Sequence, residues 1–155
     1  RMSEEKIVSV IRDFVEAYVK RDVEKMLSFL TEDVVWVALE GTFKGNKEVK
    51  RYLTWEAQIT TQRNTQRRTR ARDAGIGIMV KGNKAAYEWV IEVSTSDGRR
   101  LYEVSGISVY EFNGEKIQKH GMYYDRLSTA KQMAKGWFEK MIVGTIVNRM
   151  EKGLH

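Results

Sequence analysis

Asn113-Gly114-Glu115-Lys116-Ile117-Gln118-Lys119-His120-Gly121-Met122-Tyr123-Tyr124-Asp125 opens on an Asn-Gly pair and continues with strand-like alternation. Asn-Gly supplies the positive φ of a tight hairpin turn, so a strand must also precede it. In that preceding strand Tyr102, Val104, Gly106, Ser108, Tyr110 and Phe112 share a face. After the turn, His120, Met122 and Tyr124 share one face, and Tyr123 and Asp125 the other. Ser96-Asp97-Gly98 and Lys81-Gly82-Asn83 mark two further turns upstream. The chain from about Arg67 to Asp125 therefore reads as four strands in an antiparallel meander. Tyr87, Trp89, Ile91 and Val93 line one face of the second strand, and Glu88 and Glu92 the other. Alternation alone leaves open which face looks inward.

Outward from this sheet the period changes to 3.6. Ile7, Ile11, Phe14, Val15 and Tyr18 form an apolar stripe on a helix from about Ser3 to Lys20, capped by Ser3. A second helix begins at Asp22. Val34–Leu39 is short and β-branched, hence a buried strand ending at Glu40-Gly41. After a turn at Gly45-Asn46, a third helix from Lys47 carries Val49, Tyr52, Leu53 and Trp55 and fades within 60–64. Helical spacing returns from Ser128 to Lys152. Helices first and a curved sheet after is an α+β plan.

The 155 residues suit one core, and 42% hydrophobic with 31% charged residues excludes a disordered chain. There is no proline, so turns fall to Gly, Asn and Asp. Without cysteine and with only His120 and His155, neither a disulfide, a thiolate nucleophile nor a metal centre is expected. The net charge of +6 favours acidic partners without naming one. No apolar run approaches the ~18 residues of a membrane span, and no signal-peptide pattern occurs, so a cytoplasmic protein is expected.

The order of elements resembles the cone-shaped fold of the nuclear-transport-factor-2-like superfamily, in its SnoaL-like branch. Residues 17–26 resemble that family's turn between its first helices, and Thr31-Glu32-Asp33-Val34-Val35-Trp36 the entry to its first strand. Phe43-Lys44-Gly45 resembles its next turn, and 113–125 are similar to its last strand, where a Gly-Lys-Ile entry leads to an aromatic pair and an aspartate. The resemblance spans about Ser3 to Gln132. It implies a SnoaL-like cone over residues 1–127, with 128–155 a helical extension packed on the same domain or on a partner subunit. It also implies an apolar cavity, open at one end, for a small and largely apolar molecule.

Asp125 is the first candidate for chemistry. A carboxylate beside tyrosine rings loses hydration, which suits it to proton transfer. SnoaL-like cyclases and the related limonene epoxide hydrolases place an acid/base aspartate where Asp125 stands. Capping of the following helix explains the same residue without chemistry. The hydrolases also carry an Arg-x-Asp pair, which Val90-Ile91-Glu92 matches only in its carboxylate. Glu92 is a second acid if its face turns inward, and solvated otherwise. Ketosteroid isomerases of this fold use a tyrosine and an aspartate where this chain has Phe14 and Ala38, so that mechanism is not expected. His120 could titrate near neutrality as a base or donor, or simply be packed. Trp36, Tyr52, Trp55, Trp89, Tyr123 and Phe14 are the candidate ligand-binding aromatics, with core packing the alternative for each.

Arg63, Arg67, Arg68, Arg70 and Arg72 form the densest cationic cluster. Such a row could bind phosphates or an anionic ligand by forked hydrogen bonds, a solvent-facing sheet surface or guarded edge explains it equally, and no nucleic-acid motif accompanies it. Gly75-Ile76-Gly77 lacks the strand-to-helix context of a phosphate loop. The terminal helix is apolar almost all round between Met141 and Val147, which suits a homodimer arm, then a cavity lid, then a surface anchor. The expected function is small-molecule binding, with cofactor-free cyclase, isomerase or hydratase chemistry at Asp125. A non-catalytic carrier or homodimerisation module is the alternative.

Overall fold

The computed structural model describes residues 2–62, 65–71, 77–134 and 136–152. Helix α1, Glu4–Lys20, begins where the Ser3 hydroxyl accepts the Lys6 amide at 3.2 Å. Its 3.6-residue stripe of Ile7, Val10, Ile11, Phe14 and Ala17 is buried. It stops at Arg21, whose backbone turns left-handed (φ 58°) so that its amide reaches the carbonyls of Ala17 and Tyr18. Asp22 caps the short α2, Val23–Ser28, by accepting the Lys25 amide. Strand β1, Leu30–Ala38, turns through Gly41 into β2, Gly41–Lys44. Helix α3 runs Asn46–Gln62. Then come β3 (Thr65–Ala71), β4 (Ile78–Lys81), β5 (Lys84–Thr95), β6 (Arg100–Asn113) and β7 (Lys116–Tyr124).

The sheet order is β2-β1-β7-β6-β5-β3, with β4 also paired to β5. Every pairing is antiparallel except β1 with β7, which is parallel and sets Trp36 opposite His120. The curved sheet packs on the N-terminal helices, as an α+β cone should. The main core gathers Ile7, Ile11, Phe14, Leu30, Trp36 and Leu53, and a smaller cluster holds Trp89, Ile91, Val93 and Val104. Each such side chain contributes about 1.5–3 kcal/mol on burial.

Several boundaries differ from expectation. Strand β1 begins four residues before Val34, and β2 is an additional strand. Five strands replace four between 65 and 125, because β3 and β4 both lie against β5 at different registers. The single terminal helix is two: α4, Arg126–Met133, and α5, Trp137–Lys152. Helix α4 follows the edge of β6 that β7 leaves open, β7 ending at Tyr124 opposite Gly106. There the Gln132 side-chain amide accepts from the Glu103 amide at 3.0 Å and donates to its carbonyl at 2.9 Å, replacing a missing strand. Met141, Ile142 and Ile146 of α5 are exposed. Arg63, Arg72, Gly75 and Ile76 lie outside the described residues.

Candidate functional site

Between the smaller cluster and α3 the cone is not filled, and a cavity of about 240 Å³ opens to solvent. Trp89, Ile91 and Val93 of β5 and Val104 of β6 supply an apolar wall, with Trp36 of β1 and Met122 of β7 beyond. Trp89 lies flat across β6 because its register partner is Gly106, where a Cβ would stand 2.6 Å from the indole. Its Nε1 donates to the buried Ser108 hydroxyl at 2.9 Å. The inner face of β5 is thus the aromatic one, and Glu88 and Glu92 take the other.

One end of the cavity is ionic. Arg67 of β3 keeps only 5% of its side chain exposed and donates through Nη1 to Glu56 Oε1 of α3 at 2.8 Å. Its guanidinium lies 4.3 Å from the ring centre of Tyr18 on α1, a cation–π contact. Burial first, and then Glu56, push the Tyr18 hydroxyl well above its ordinary range, so it stays protonated. Burial opposes the charge on Arg67, and Tyr18 and Glu56 more than offset it. Arg21, swung inward by its left-handed backbone, donates through Nη2 to the Thr65 carbonyl at 2.8 Å. Burial, and then Arg67, lower its pKa. At the rim, Tyr52 stacks on Phe43 and donates to Glu40 Oε2 at 2.8 Å. Burial, then the Glu40 bond, raise the Tyr52 pKa.

Two donors bordering the cavity, Arg21 Nε and Trp36 Nε1, are buried without a hydrogen-bond partner among the described residues. A buried polar group left unpaired costs about 1–3 kcal/mol, and an acceptor brought by a ligand removes that cost. Chemically the cavity therefore offers an apolar aromatic slot bordered by two donors without acceptors.

Of the candidate aromatics, Trp36, Tyr52, Trp55 and Trp89 border this cavity. Phe14 instead lies in the core, its ring 5.9 Å from Trp36 and 5.6 Å from His120. Tyr123 is on the outer face, half exposed, covering Gly121, which has no side chain to do so. Asp125 is exposed outside the lining and caps α4, its Oδ1 accepting the Ser128 amide at 2.9 Å. Glu92 faces away from the cavity, opposite Arg68 and Glu103 in the sheet register. His120 is sealed between Phe14, Trp36 and Tyr110, and burial lowers its pKa to about 3. No group of three or more His, Asp or Glu side chains able to hold a metal ion occurs among the described residues. Nor is any described helix long and apolar enough to cross a membrane.

Of the ionic end, sequence reading places Arg67 only in a cationic row and does not single out Tyr18, Arg21 or Glu56. Two signals pointed to them. Strand alternation sends Arg67 and Arg68 to opposite faces, so one must turn inward. Glu56 also follows Tyr52 by four residues on α3, sharing its inner side.

Residues 11–120 match the sequence profile of the SnoaL-like domain. The chain belongs to the SnoaL-like family. Among solved structures, this SnoaL-like protein is similar to TerC co-crystallised with polyporic acid, at 17% identity and TM-score 0.66 over 84% of this chain and 99% of that one. An NTF2-like protein of unknown function from Burkholderia pseudomallei aligns at 17% identity and TM-score 0.66 over 86% of this chain and 100% of that one. An LEH-like epoxide hydrolase from M. tuberculosis aligns at 15% identity and TM-score 0.64 over 89% and 96%. At these identities the likeness is one of fold. No curated protein sequence matches the chain.

Proposed function

We propose that this SnoaL-like protein binds a small, largely apolar molecule, one or two rings in size, and transfers a proton on it in a cyclisation, isomerisation or hydration. The observation that carries this is an aromatic-walled cavity whose donors Arg21 Nε and Trp36 Nε1 lack acceptors. A carbonyl or enol oxygen of the ligand supplies them. The volume, about 240 Å³, falls just below the roughly 300–1,000 Å³ of drug-sized sites, hence the small ligand.

In the reaction, Arg67 and Tyr18 face the ligand oxygen and stabilise negative charge that develops on it; Tyr18 accepts from Arg67 and, staying protonated, has its O–H to give to the ligand. Glu56 is the carboxylate that borders the cavity with little solvent, only 21% of its side chain being exposed, and it takes or returns the proton. Proximity favours Glu56 over Asp125, whose carboxylate is occupied in capping α4. That a structure of this fold was obtained for TerC with polyporic acid supports an aromatic ligand bearing acidic oxygens.

Calorimetric titration with 2-hydroxy-1,4-naphthoquinone, a two-ring body with an acidic enol, tests the binding. The expected result is saturable heat that weakens at least tenfold in Arg67→Met; no binding by this probe and no small molecule carried through native mass spectrometry would reject it. Once a substrate is in hand, turnover should vanish in Glu56→Gln and persist in Asp125→Asn. The reverse pattern returns the acid/base role to Asp125, and a ligand always recovered unchanged makes the protein a carrier.

A further inference from the structure

Behind the main cavity lies a second, smaller void of about 20 Å³ that the proposed chemistry does not use. Tyr18, Trp89, Ile91 and Met122 border both spaces and so form the partition between them. On its far side stand Thr69 of β3, Ser108 and Tyr110 of β6, and His120 of β7. Two of these carry buried polar atoms with no hydrogen-bond partner among the described residues: Thr69 Oγ1 and His120 Nδ1. The Ser108 hydroxyl accepts from Trp89 and gives its own proton to Tyr110, which leaves Thr69 and His120 as the unpaired polar groups. No Asp, Glu, Lys or Arg is in the lining among the described residues.

Size and chemistry agree here. One water-sized oxygen needs roughly 10–15 Å³ of such space and two to four polar partners, and voids that stay dry are lined by apolar groups alone. A threonine hydroxyl and an imidazole nitrogen can each donate or accept according to rotation and tautomer, so a guest they share is one that can do both. With neither a cation nor a carboxylate among the described lining residues, a neutral guest suits the niche better than an anion or an ammonium. Burial also keeps His120 neutral over the whole physiological range, since its pKa falls to about 3.

We propose that this niche, ringed by Thr69, Ser108 and His120 behind the Trp89–Met122 partition, is a subsite for one neutral hydroxyl-type oxygen. In the free protein the oxygen is a water molecule. When the main cavity is filled, the unbranched Met122 gives way and a hydroxyl of the ligand replaces it. The favoured ligand is then bifunctional, with a carbonyl or enol oxygen at the ionic end and a neutral hydroxyl at the other. The ligand half of this proposal rests on the binding function proposed above; the water half does not.

A high-resolution crystal structure of the free protein tests the niche without any ligand. An ordered oxygen within hydrogen-bond distance of His120 Nδ1 and Thr69 Oγ1 is expected, and a niche without one overturns the proposal. Titrations with 2-naphthol and with naphthalene test the exchange. The expected result is a preference for the alcohol of about tenfold, or about 1.4 kcal/mol. It should be lost in the isosteric Thr69→Val variant while naphthalene binds unchanged, and 2-naphthol alone should shift the His120 Nδ1 nitrogen resonance of the wild-type protein. Equal affinity for the two probes, or a preference that survives Thr69→Val and disappears in Arg67→Met, overturns the ligand half and leaves water as the occupant. If neither probe binds, the proposed function fails, and the niche stands or falls on the crystal structure.

Discussion

Gly106→Ala is a one-carbon change whose cost can be worked from the geometry. The new Cβ would stand 2.6 Å from Trp89 Cη2 and 2.7 Å from the Tyr123 carbonyl oxygen. Carbon atoms ordinarily meet at about 3.5–4.0 Å, so the overlap with the indole is roughly 1 Å. The Tyr123 carbonyl is backbone and cannot swing aside, which leaves Trp89 to move. Trp89 is 2% exposed, packed against Ile91, Val93 and Val104, and tied to Ser108 at 2.9 Å. Overpacking of this kind costs about 1–3 kcal/mol. Losing the indole hydrogen bond in a buried site adds about 1–3 kcal/mol. Replacing a strand glycine by alanine returns about 0.5–1 kcal/mol through the unfolded chain. The expected net loss is about 3 kcal/mol, within a span of about 1–5 kcal/mol, read as a lower urea midpoint at unchanged m. In a double variant that also carries Trp89→Leu, the part of the Gly106→Ala penalty that comes from the indole should disappear, while the contact with the Tyr123 carbonyl remains. A loss under about 0.5 kcal/mol, or an undiminished penalty in the double variant, would refute the claim that Gly106 exists to seat Trp89.

Three further outcomes are expected. His120 is protonated at 6.5 in the unfolded chain and only near 3 when buried, so the unfolded state binds the extra proton in between. Its contribution is fully present above pH 6.5 and is lost as pH falls toward 3, at roughly 1 kcal/mol per pH unit; urea midpoints for wild type and His120→Phe should diverge in this window, and parallel pH profiles would contradict the buried neutral imidazole. Asp125→Ala should cost about 1 kcal/mol as a lost helix cap while leaving probe affinity in the main cavity within twofold, whereas a large affinity loss by calorimetry would put Asp125 at the ligand. Met141, Ile142 and Ile146 lie exposed on α5, so sedimentation of the wild type as a homodimer and of Ile142→Glu as a monomer is expected if this helix is the dimer arm; a wild-type monomer at micromolar concentration would dispose of it.

How much of this was visible in the residues depends on how local the deciding physics is. Hairpins at Gly82, Gly98 and Gly114 follow from turn chemistry, and all three glycines have positive φ. Caps at Ser3 and Asp22 follow from side-chain reach. The parallel contact of β1 with β7 could not be read, because it joins residues about eighty apart whose own patterns are silent about a partner. The break between α4 and α5 was hidden for a related reason. An apolar stripe continues through it, and what stops α4 includes tertiary bonding, Gln132 being drawn to the free edge of β6.

The site shows the same division more sharply. Alternation puts Met122 and Tyr124 on one face of β7 and Tyr123 on the other, as the structure has them, yet the first candidate for chemistry is Asp125, which lies just past the strand as the cap of α4. The carboxylate at a strand end is conspicuous in a sequence. Glu56 in the middle of a helix and Arg67 within an arginine-rich strand are not, since charge there ordinarily means solvent. What converts them into a site is closure. The curvature that brings β3 over α1 and against α3 strips water from Arg67, and a guanidinium so stripped is tolerable only with a carboxylate and an aromatic face beside it. The same closure leaves Arg21 Nε and Trp36 Nε1 without acceptors. A fold optimised for stability alone would have paired or removed such donors, so their persistence is the physical reason to expect an oxygen from outside the chain.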